Sequence, residues 1–143
     1  MTRTFLDSGV LIAAARGNMA QSLAALRILS DRDLRFAAAL RYREFASSAF
    51  IQLETLPKAT YHNQQAEVRF YESFFSNVTL WATELEQIVQ TGNRIACTYG
   101  LAAIDALHLA AALSVDAEEF VTTEKTTKPM HRVAEIRVVS IAS

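Results

Sequence analysis

The chain has 143 residues, of which 51% are hydrophobic and 20% are charged, and its formal net charge is −1. This composition excludes a disordered chain and predicts a single globular domain over residues 1–143 with a hydrophobic core. The near-zero charge excludes a strong overall basic field, so a nucleic-acid partner would need a local basic patch or metal ions.

Cys97 is the only cysteine, which excludes an internal disulfide and a cysteine-rich zinc site and favours a reducing, cytoplasmic location. The sequence has no long apolar segment ahead of a cleavage site, and no window of about 18 uncharged apolar residues. We therefore expect no signal peptide, no transmembrane helix and no membrane partner.

The first half of the chain predicts two strands, each followed by helices. In order, the predicted elements are a strand at residues 4–6, a helix that Asp7 or Ser8 caps, a helix at about residues 20–29, a strand at residues 34–37, and a long helix at about residues 40–56 that Pro57 ends.

The second half continues the alternation. It predicts a helix at residues 58–76, a strand at residues 77–81, and a helix capped by Thr83 with Glu86 and ended by Gly92. A helical or irregular piece at residues 93–99 and a buried helix at residues 101–115 follow. The last predicted elements are a strand at residues 120–122, a polar loop or short helix at residues 124–131, and a strand at residues 136–141. The pattern predicts an α/β fold, a three-layer α/β/α sandwich around a mostly parallel five-stranded sheet.

Four acidic residues occupy comparable positions, just after a predicted strand or in the first turns of a predicted helix. They are Asp7, Glu44, Asp105 and Glu124. Strand ends and the following helix starts gather at one edge of a right-handed parallel sheet, so the four carboxylates are expected to converge. Asp105 is the most informative, because a lone carboxylate in so apolar a helix is costly to bury unless it is paired or coordinated.

Converging carboxylates repel one another and raise each other's pKa, and a divalent cation relieves that repulsion. Oxygen ligands alone suit Mg²⁺ or Mn²⁺. One or two such ions can polarise a phosphoryl oxygen, activate a water and stabilise the leaving oxygen of a phosphodiester. The four acids therefore suggest metal-dependent hydrolysis at phosphorus.

The chain resembles the PIN domain family, a metal-dependent ribonuclease fold that includes VapC-type toxins of toxin–antitoxin pairs. The segments that carry the resemblance are Phe5-Leu6-Asp7-Ser8-Gly9-Val10-Leu11-Ile12, Arg43-Glu44-Phe45, Tyr99-Gly100-Leu101 through Ile104-Asp105-Ala106-Leu107-His108-Leu109-Ala110, and Phe120-Val121-Thr122-Thr123-Glu124-Lys125. The sequence departs from the family at two positions: Gly9 stands where the family often has asparagine, and Glu124 where aspartate is commoner.

The resemblance implies an endoribonuclease that cleaves RNA by a metal-activated water and acts as the toxin of a type II pair. Asp7, Glu44, Asp105 and Glu124 would be catalytic and would bind Mg²⁺ or Mn²⁺, while Ser8 and Thr122 would support the metal or the water. The resemblance also places the first strand centrally in the sheet. It implies a small antitoxin partner, and the surplus of apolar and aromatic residues suggests a homodimer.

Two alternatives stay open: a stand-alone RNA-processing nuclease and a non-catalytic module of the same fold that binds RNA or protein. A receiver-like phospho-acceptor domain is a third alternative, which the sequence disfavours because Glu44 and Asp105 are predicted on helices and no second acid lies beside Asp7. A dehalogenase-like phosphatase is disfavoured because Gly9 occupies the place of its second acid. His108 is interpreted as a structural histidine. The basic residues expected to border the site and bind RNA phosphates are Arg41, Arg43, Arg94, Lys125, Lys128, His131 and Arg132.

Overall fold

A computed structural model describes residues 1–30 and 43–142. Its elements, in chain order, are β1 (Thr2–Leu6), α1 (Ser8–Arg16), α2 (Ser22–Ser30), β2 (Arg43–Ser48), α3 (Ala49–Tyr61), α4 (Gln65–Ser76), β3 (Leu80–Ala82), α5 (Leu85–Tyr99), α6 (Ala103–Ser114), β4 (Glu119–Thr122), a 3₁₀ helix (Pro129–Arg132) and β5 (Arg137–Ser140).

The five strands form one parallel sheet in the order β3-β2-β1-β4-β5. The chain steps from β1 to β2 to β3 in one direction and then returns past β1 to β4. Because parallel crossovers are right-handed, the described helices between β1 and β3 cover one face, and α5 and α6 cover the other. Contacts among α1 to α4, and between α5 and α6, agree with this arrangement. The predicted α/β/α fold and the central position of the first strand are confirmed.

The core lies on both faces of β1 and β4, the strands at the centre of the sheet. Phe5 and Phe120 are fully buried on these neighbouring strands, and their rings stack with centroids 5.8 Å apart. Such continuous burial is typical of parallel strands covered on both faces. It gives rigid support to the residues that follow each strand.

The long helix predicted over residues 40–56 is wrong in its first half, because residues 43–48 form β2. Short apolar runs fit a buried strand as well as a helix, and pairing with β1 and β3 selects the strand. Pro57 does not end α3 but lies inside it. The buried residues Ile51, Thr55 and Ala59 recur every four positions across the proline, so packing of this face carries the helix through it.

Three further helix ends differ from prediction: the two ends of α5 and the start of α4. Helix α5 passes through Gly92 and ends at Gly100, whose positive φ of 73° suits a glycine. A Cβ on Gly92 would lie 3.6 Å from the carbonyl oxygen of Ala106, so this glycine serves close packing of α5 on α6. Thr83 does not cap α5, which begins after Glu84 without a side-chain cap. Helix α4 begins at Gln65, whereas α3 occupies the start of the helix predicted at residues 58–76.

The strand predicted at residues 34–37, the start of the helix predicted at residue 40, and Arg41 lie outside the described residues. Within the described residues, no single helix is long and apolar enough to cross a membrane. Helices α5 and α6 reach that length and composition only together, across a 120° bend.

Candidate metal centre

The candidate site lies where the strand order reverses, between β1 and β4. The chain leaves β1 toward β2 on one side, whereas β4 and β5 lie on the other. Parallel sheets of this kind bind ligands in the crevice at the carboxyl ends of the strands flanking that reversal. Asp7 directly follows β1, and Thr122 is the last residue of β4. Since Leu6 pairs with Val121, these two polar residues meet at the edge of the crevice.

Asp7 is held by two hydrogen bonds and is only 7% exposed. Its Oδ1 accepts from the backbone N–H of Ser8 at 2.9 Å, which makes Asp7 the N-cap of α1. Its Oδ2 accepts from the Thr122 hydroxyl at 2.8 Å. Burial raises the pKa of Asp7, and the charge of Glu54 adds to the increase, although the hydrogen bonds and any positive charge on His108 oppose it.

Asp105 and Glu124 lie near Asp7 at the same edge. Asp105 is half-buried in the first turn of α6. Burial, followed by the charges of Asp7 and Glu124, raises the pKa of Asp105. Glu124 follows β4, and its backbone N–H donates to Thr122 Oγ1 at 3.1 Å. The structure therefore brings together three of the four predicted acids, Asp7, Asp105 and Glu124.

Glu44 does not join them, and its expected position in the first turns of a helix is wrong. It is the second residue of β2, in register with Arg3, and its Oε1 accepts from Arg3 Nε at 2.8 Å. Asp7 lies four residues beyond Arg3, about 13 Å farther along the sheet. Glu44 is thus a charge paired at the opposite end of the strands, which follows from residues 43–48 forming a strand.

Glu54 is the acid that sequence reasoning missed. It lies in the second turn of α3, and its Oε1 accepts from Ser8 Oγ at 2.9 Å and lies 2.5 Å from His108 Nε2. Asp7, Glu54 and His108 each present a ligand atom within 4.8 Å of the others. Had Ser48 been recognised as the end of a strand, Glu54 would have stood out as an acid near the start of the following helix.

The glycine at position 9 is explained by the lack of room for a side chain there. A Cβ built on Gly9 would lie 2.4 Å from Oγ1 of Thr123, well inside van der Waals contact. Thr123 follows β4, so this close approach brings the start of α1 against the end of β4. The asparagine that the family often has at this position would require the Thr123 side chain to move.

The predicted basic residues divide between the site and other parts of the fold. Arg43 Nε pairs with Glu119 at 2.6 Å at the amino end of the sheet, and Arg94 pairs with Glu135 at 3.5 Å. Lys125 and Lys128 are exposed just beyond Glu124. His131 Nε2 and the Ser140 hydroxyl lie 3.1 and 2.6 Å from the carbonyl oxygen of Glu124, and Arg132 Nη1 donates to the Tyr99 carbonyl at 3.4 Å.

The donor set fits a hard divalent cation. Asp7 and Glu54 present oxygens within 4.8 Å of each other, and Asp105 lies close enough for the charges of Asp7, Glu124 and Glu54 to act on it. Burial and the neighbouring charges raise the pKa values of the two aspartates. Carboxylate oxygens are the ligands that Mg²⁺ and Mn²⁺ prefer. A cation here would relieve the repulsion that otherwise favours protonation.

Comparison with known proteins agrees with this geometry. Residues 4–135 match the sequence profile of the PIN domain. No curated protein matches the chain by sequence.

Three solved structures share the fold across nearly the whole chain. VapBC2 from Rickettsia felis, bound to a DNA fragment from its promoter, has a TM-score of 0.68 at 12% identity and covers 97% of this chain and 98% of its own. VapBC-1 from nontypeable Haemophilus influenzae has a TM-score of 0.66 at 18% identity, with 98% of each chain covered. VapC20 from Mycobacterium tuberculosis, a sarcin–ricin loop cleaving toxin, has a TM-score of 0.64 at 14% identity and covers 94% of this chain and 98% of its own.

Proposed function

This chain belongs to the PIN domain family, and we propose that it is a Mg²⁺- or Mn²⁺-dependent endoribonuclease that hydrolyses RNA phosphodiester bonds. The observation that carries the proposal is the cluster of Asp7 and Glu54 with His108 at the reversal of strand order, with Asp105 close enough for the charges of Asp7 and Glu124 to act on it. Members of the family are generally divalent-metal-dependent nucleases, and this acidic crevice supplies the oxygen ligands that such chemistry needs.

The proposed ligands are Asp7, Glu54, Asp105 and Glu124. When bound, Mg²⁺ or Mn²⁺ polarises a phosphoryl oxygen and lowers the pKa of a coordinated water. Thr122 holds Asp7, and Ser8 holds Glu54, through the hydrogen bonds described above. The chain offers no covalent nucleophile in this scheme, so we expect no phospho-enzyme intermediate.

The substrate would be held by charges at the rim of the crevice. Lys125 and Lys128 are exposed immediately after Glu124 and are suited to bind phosphates on either side of the cleaved bond. Contacts of this kind position the backbone without reading base sequence. The net charge of −1 means that affinity would depend on these local charges and on the metal.

The biological role that we propose is that of a toxin neutralised by a small antitoxin. The support is the fold shared with VapBC complexes. A short reading frame next to this one would be the first candidate for the antitoxin, and co-purification would test it. We also propose a homodimer, because Leu85 and Val89 lie one turn apart on α5 and are each 55% exposed.

Cleavage of RNA by matched variants tests the proposed activity. The wild type should cleave random-sequence single-stranded RNA or a sarcin–ricin-loop oligonucleotide with Mg²⁺ or Mn²⁺, and chelator should abolish cleavage. Glu54→Gln and Asp105→Asn should each lower kcat more than about 100-fold. Glu44→Gln is the matched control, since the structure puts this acid at the opposite end of the sheet, and it should stay within about threefold of wild type.

Three results would contradict the proposal or its choice of ligands. Full activity in Asp105→Asn would exclude the proposed metal centre. Failure to cleave either RNA, together with intact Mn²⁺ binding, would instead favour the non-catalytic binding module. Loss of activity in Glu44→Gln but not in Glu54→Gln would mean that Glu44, and not Glu54, is the metal ligand.

A further inference from the structure

We infer that His108 is a positioning residue that holds the Glu54 carboxylate for the metal, and that it is not itself a ligand. This inference rests on the proposed metal centre and deepens it. Its basis is the short contact between His108 and Glu54, the deep burial of the His108 ring, and a ring nitrogen that has no hydrogen-bond partner within the described part of the chain.

His108 is placed rigidly against Glu54. It lies on α6 one turn after Asp105, and its side chain is 1% exposed. Its Nε2 lies 2.5 Å from Glu54 Oε1, whereas the Glu54 side chain is 36% exposed. A glutamate on a helix surface has many rotamers, and immobilising it costs conformational entropy. The buried ring and the Ser8 hydroxyl together hold this carboxylate in one of those rotamers.

The second ring nitrogen decides which tautomer is present. Nδ1 of His108 is buried, and it has no hydrogen-bond partner among the residues that the structure describes. If Nδ1 carried the proton, a buried donor would be left unpaired, and the lone pair of Nε2 would face the Glu54 carboxylate. The tautomer with the proton on Nε2 has neither an unpaired buried donor nor a lone pair facing the Glu54 carboxylate, so we assign His108 as a donor to Glu54.

The same tautomer argues against direct coordination by His108. A metal bound to Nε2 would need the proton moved to Nδ1, where no acceptor lies among residues 1–30 and 43–142. The imidazole N–H instead orients a carboxylate ligand, which is the usual task of an outer partner at a metal site. The centre therefore keeps oxygen ligands only, which preserves a preference for Mg²⁺ and Mn²⁺ over softer metals.

Mn²⁺ affinity in a double-mutant cycle tests the inference without reference to cleavage. Electron paramagnetic resonance titrations would measure Kd for wild type, His108→Leu, Glu54→Gln and the double variant. We expect His108→Leu to weaken Mn²⁺ binding about 10- to 100-fold. If His108 acts through Glu54, the double variant should bind no more weakly than Glu54→Gln alone. His62→Leu is the matched control, because His62 is exposed at the end of α3, and it should bind as wild type does.

Two results in these titrations and spectra would overturn the inference, in addition to an unchanged Mn²⁺ affinity in His108→Leu. Additive losses in the double variant would mean that His108 acts independently of Glu54. A nitrogen hyperfine coupling to bound Mn²⁺ that disappears in His108→Gln would make His108 a ligand. Should His108→Leu fail to fold, His108→Gln takes its place in the cycle, and its side-chain amide should restore part of the affinity by donating to Glu54.

These outcomes are separable from those of the proposed function. A protein that binds Mn²⁺ through the expected cycle but cleaves no RNA loses the proposed activity and keeps the role of His108. A protein that cleaves RNA with metal, but whose Mn²⁺ affinity is unchanged in His108→Leu, keeps the activity and loses the inference.

Discussion

Replacing Asp7 with asparagine should stabilise the metal-free protein and destabilise the metal-loaded one. Asparagine caps helices about as well as aspartate, so the bond from the Ser8 N–H to Oδ1 survives. The bond from Thr122 to a charged oxygen is lost, which costs about 1.5–3 kcal/mol. Two effects favour the variant: the Asp7 carboxylate is only 7% exposed, so its charge is desolvated, and the charge of Glu54 repels it.

The direction of the pKa shift decides between these effects. The pKa of Asp7 is raised overall, so desolvation and repulsion outweigh the hydrogen bonds, and the folded protein prefers a neutral side chain here. We expect Asp7→Asn to gain on the order of 1 kcal/mol at pH 8 without metal, which raises Tm by about 3 °C for a chain of this size. With Mn²⁺ at about 100 times its Kd the wild type gains about 2.7 kcal/mol, and the variant should gain much less.

The contribution of Asp7 and Asp105 to the folding stability of the metal-free protein should fall as the pH rises. Because the pKa values of Asp7 and Asp105 are raised in the folded state, these groups contribute stability below the ordinary carboxyl pKa and lose it as pH rises through the raised values. Metal-free wild type should therefore lose this contribution above pH 4, and Asp7→Asn should depend less on pH. Calorimetry with and without Mn²⁺ measures both effects. A large fall in Tm for the metal-free variant would refute the reasoning and make Asp7 chiefly a structural cap.

Two further predictions concern the neighbouring structure. Gly9→Ala should cost about 1–3 kcal/mol because its Cβ meets Thr123 Oγ1, and Thr123→Ala should remove most of that cost in a double-mutant cycle measured by urea unfolding. A cost unchanged by Thr123→Ala would contradict the steric explanation. Burial raises the pKa of Glu119. Hydrogen bonds from Arg43 and Thr4 and the charge of Arg43 lower the pKa by more than burial raises it, so the net pKa lies below the ordinary value. Glu119 therefore stabilises the fold above the ordinary carboxyl pKa, and this contribution is lost as pH falls. Glu119→Gln should cost about 3 kcal/mol at pH 7 and flatten the acid limb of the stability curve, and an unchanged acid limb would show that Glu119 does not supply that dependence.

The parts of the site that could be predicted from sequence are those where an acid interrupts apolar residues. Asp7 ends an apolar strand, and Asp105 is the only acid in an apolar helix, so each was recognisable without knowing its neighbours. Parallel topology then implied that they lie close together, and the raised pKa of Asp105 reflects its burial first and the charge of Asp7 second. Local pattern and one rule of sheet geometry sufficed for this half of the site.

Glu54 could not be found in the same way, because its position depends on a strand that the local pattern misassigned. Residues 43–48 fit a helix by spacing, and only pairing with β1 and β3 makes them a strand. That misassignment moved the expected acid to Glu44. The role of His108 was equally hidden, since its neighbour Glu54 lies 54 positions away on another helix. Contacts between helices are tertiary information that periodicity does not carry.

Glu124 joins the site although it is longer than the usual aspartate, and the reason lies in its backbone. Its N–H donates to Thr122, and its carbonyl oxygen lies within hydrogen-bond distance of His131 and Ser140. These three contacts hold the main chain of Glu124 at the end of β4. After burial and the charge of Asp7, the charge of Glu124 also raises the pKa of Asp105, so the longer side chain still brings its charge near that acid. The longer side chain thus keeps a further acid near the proposed metal centre.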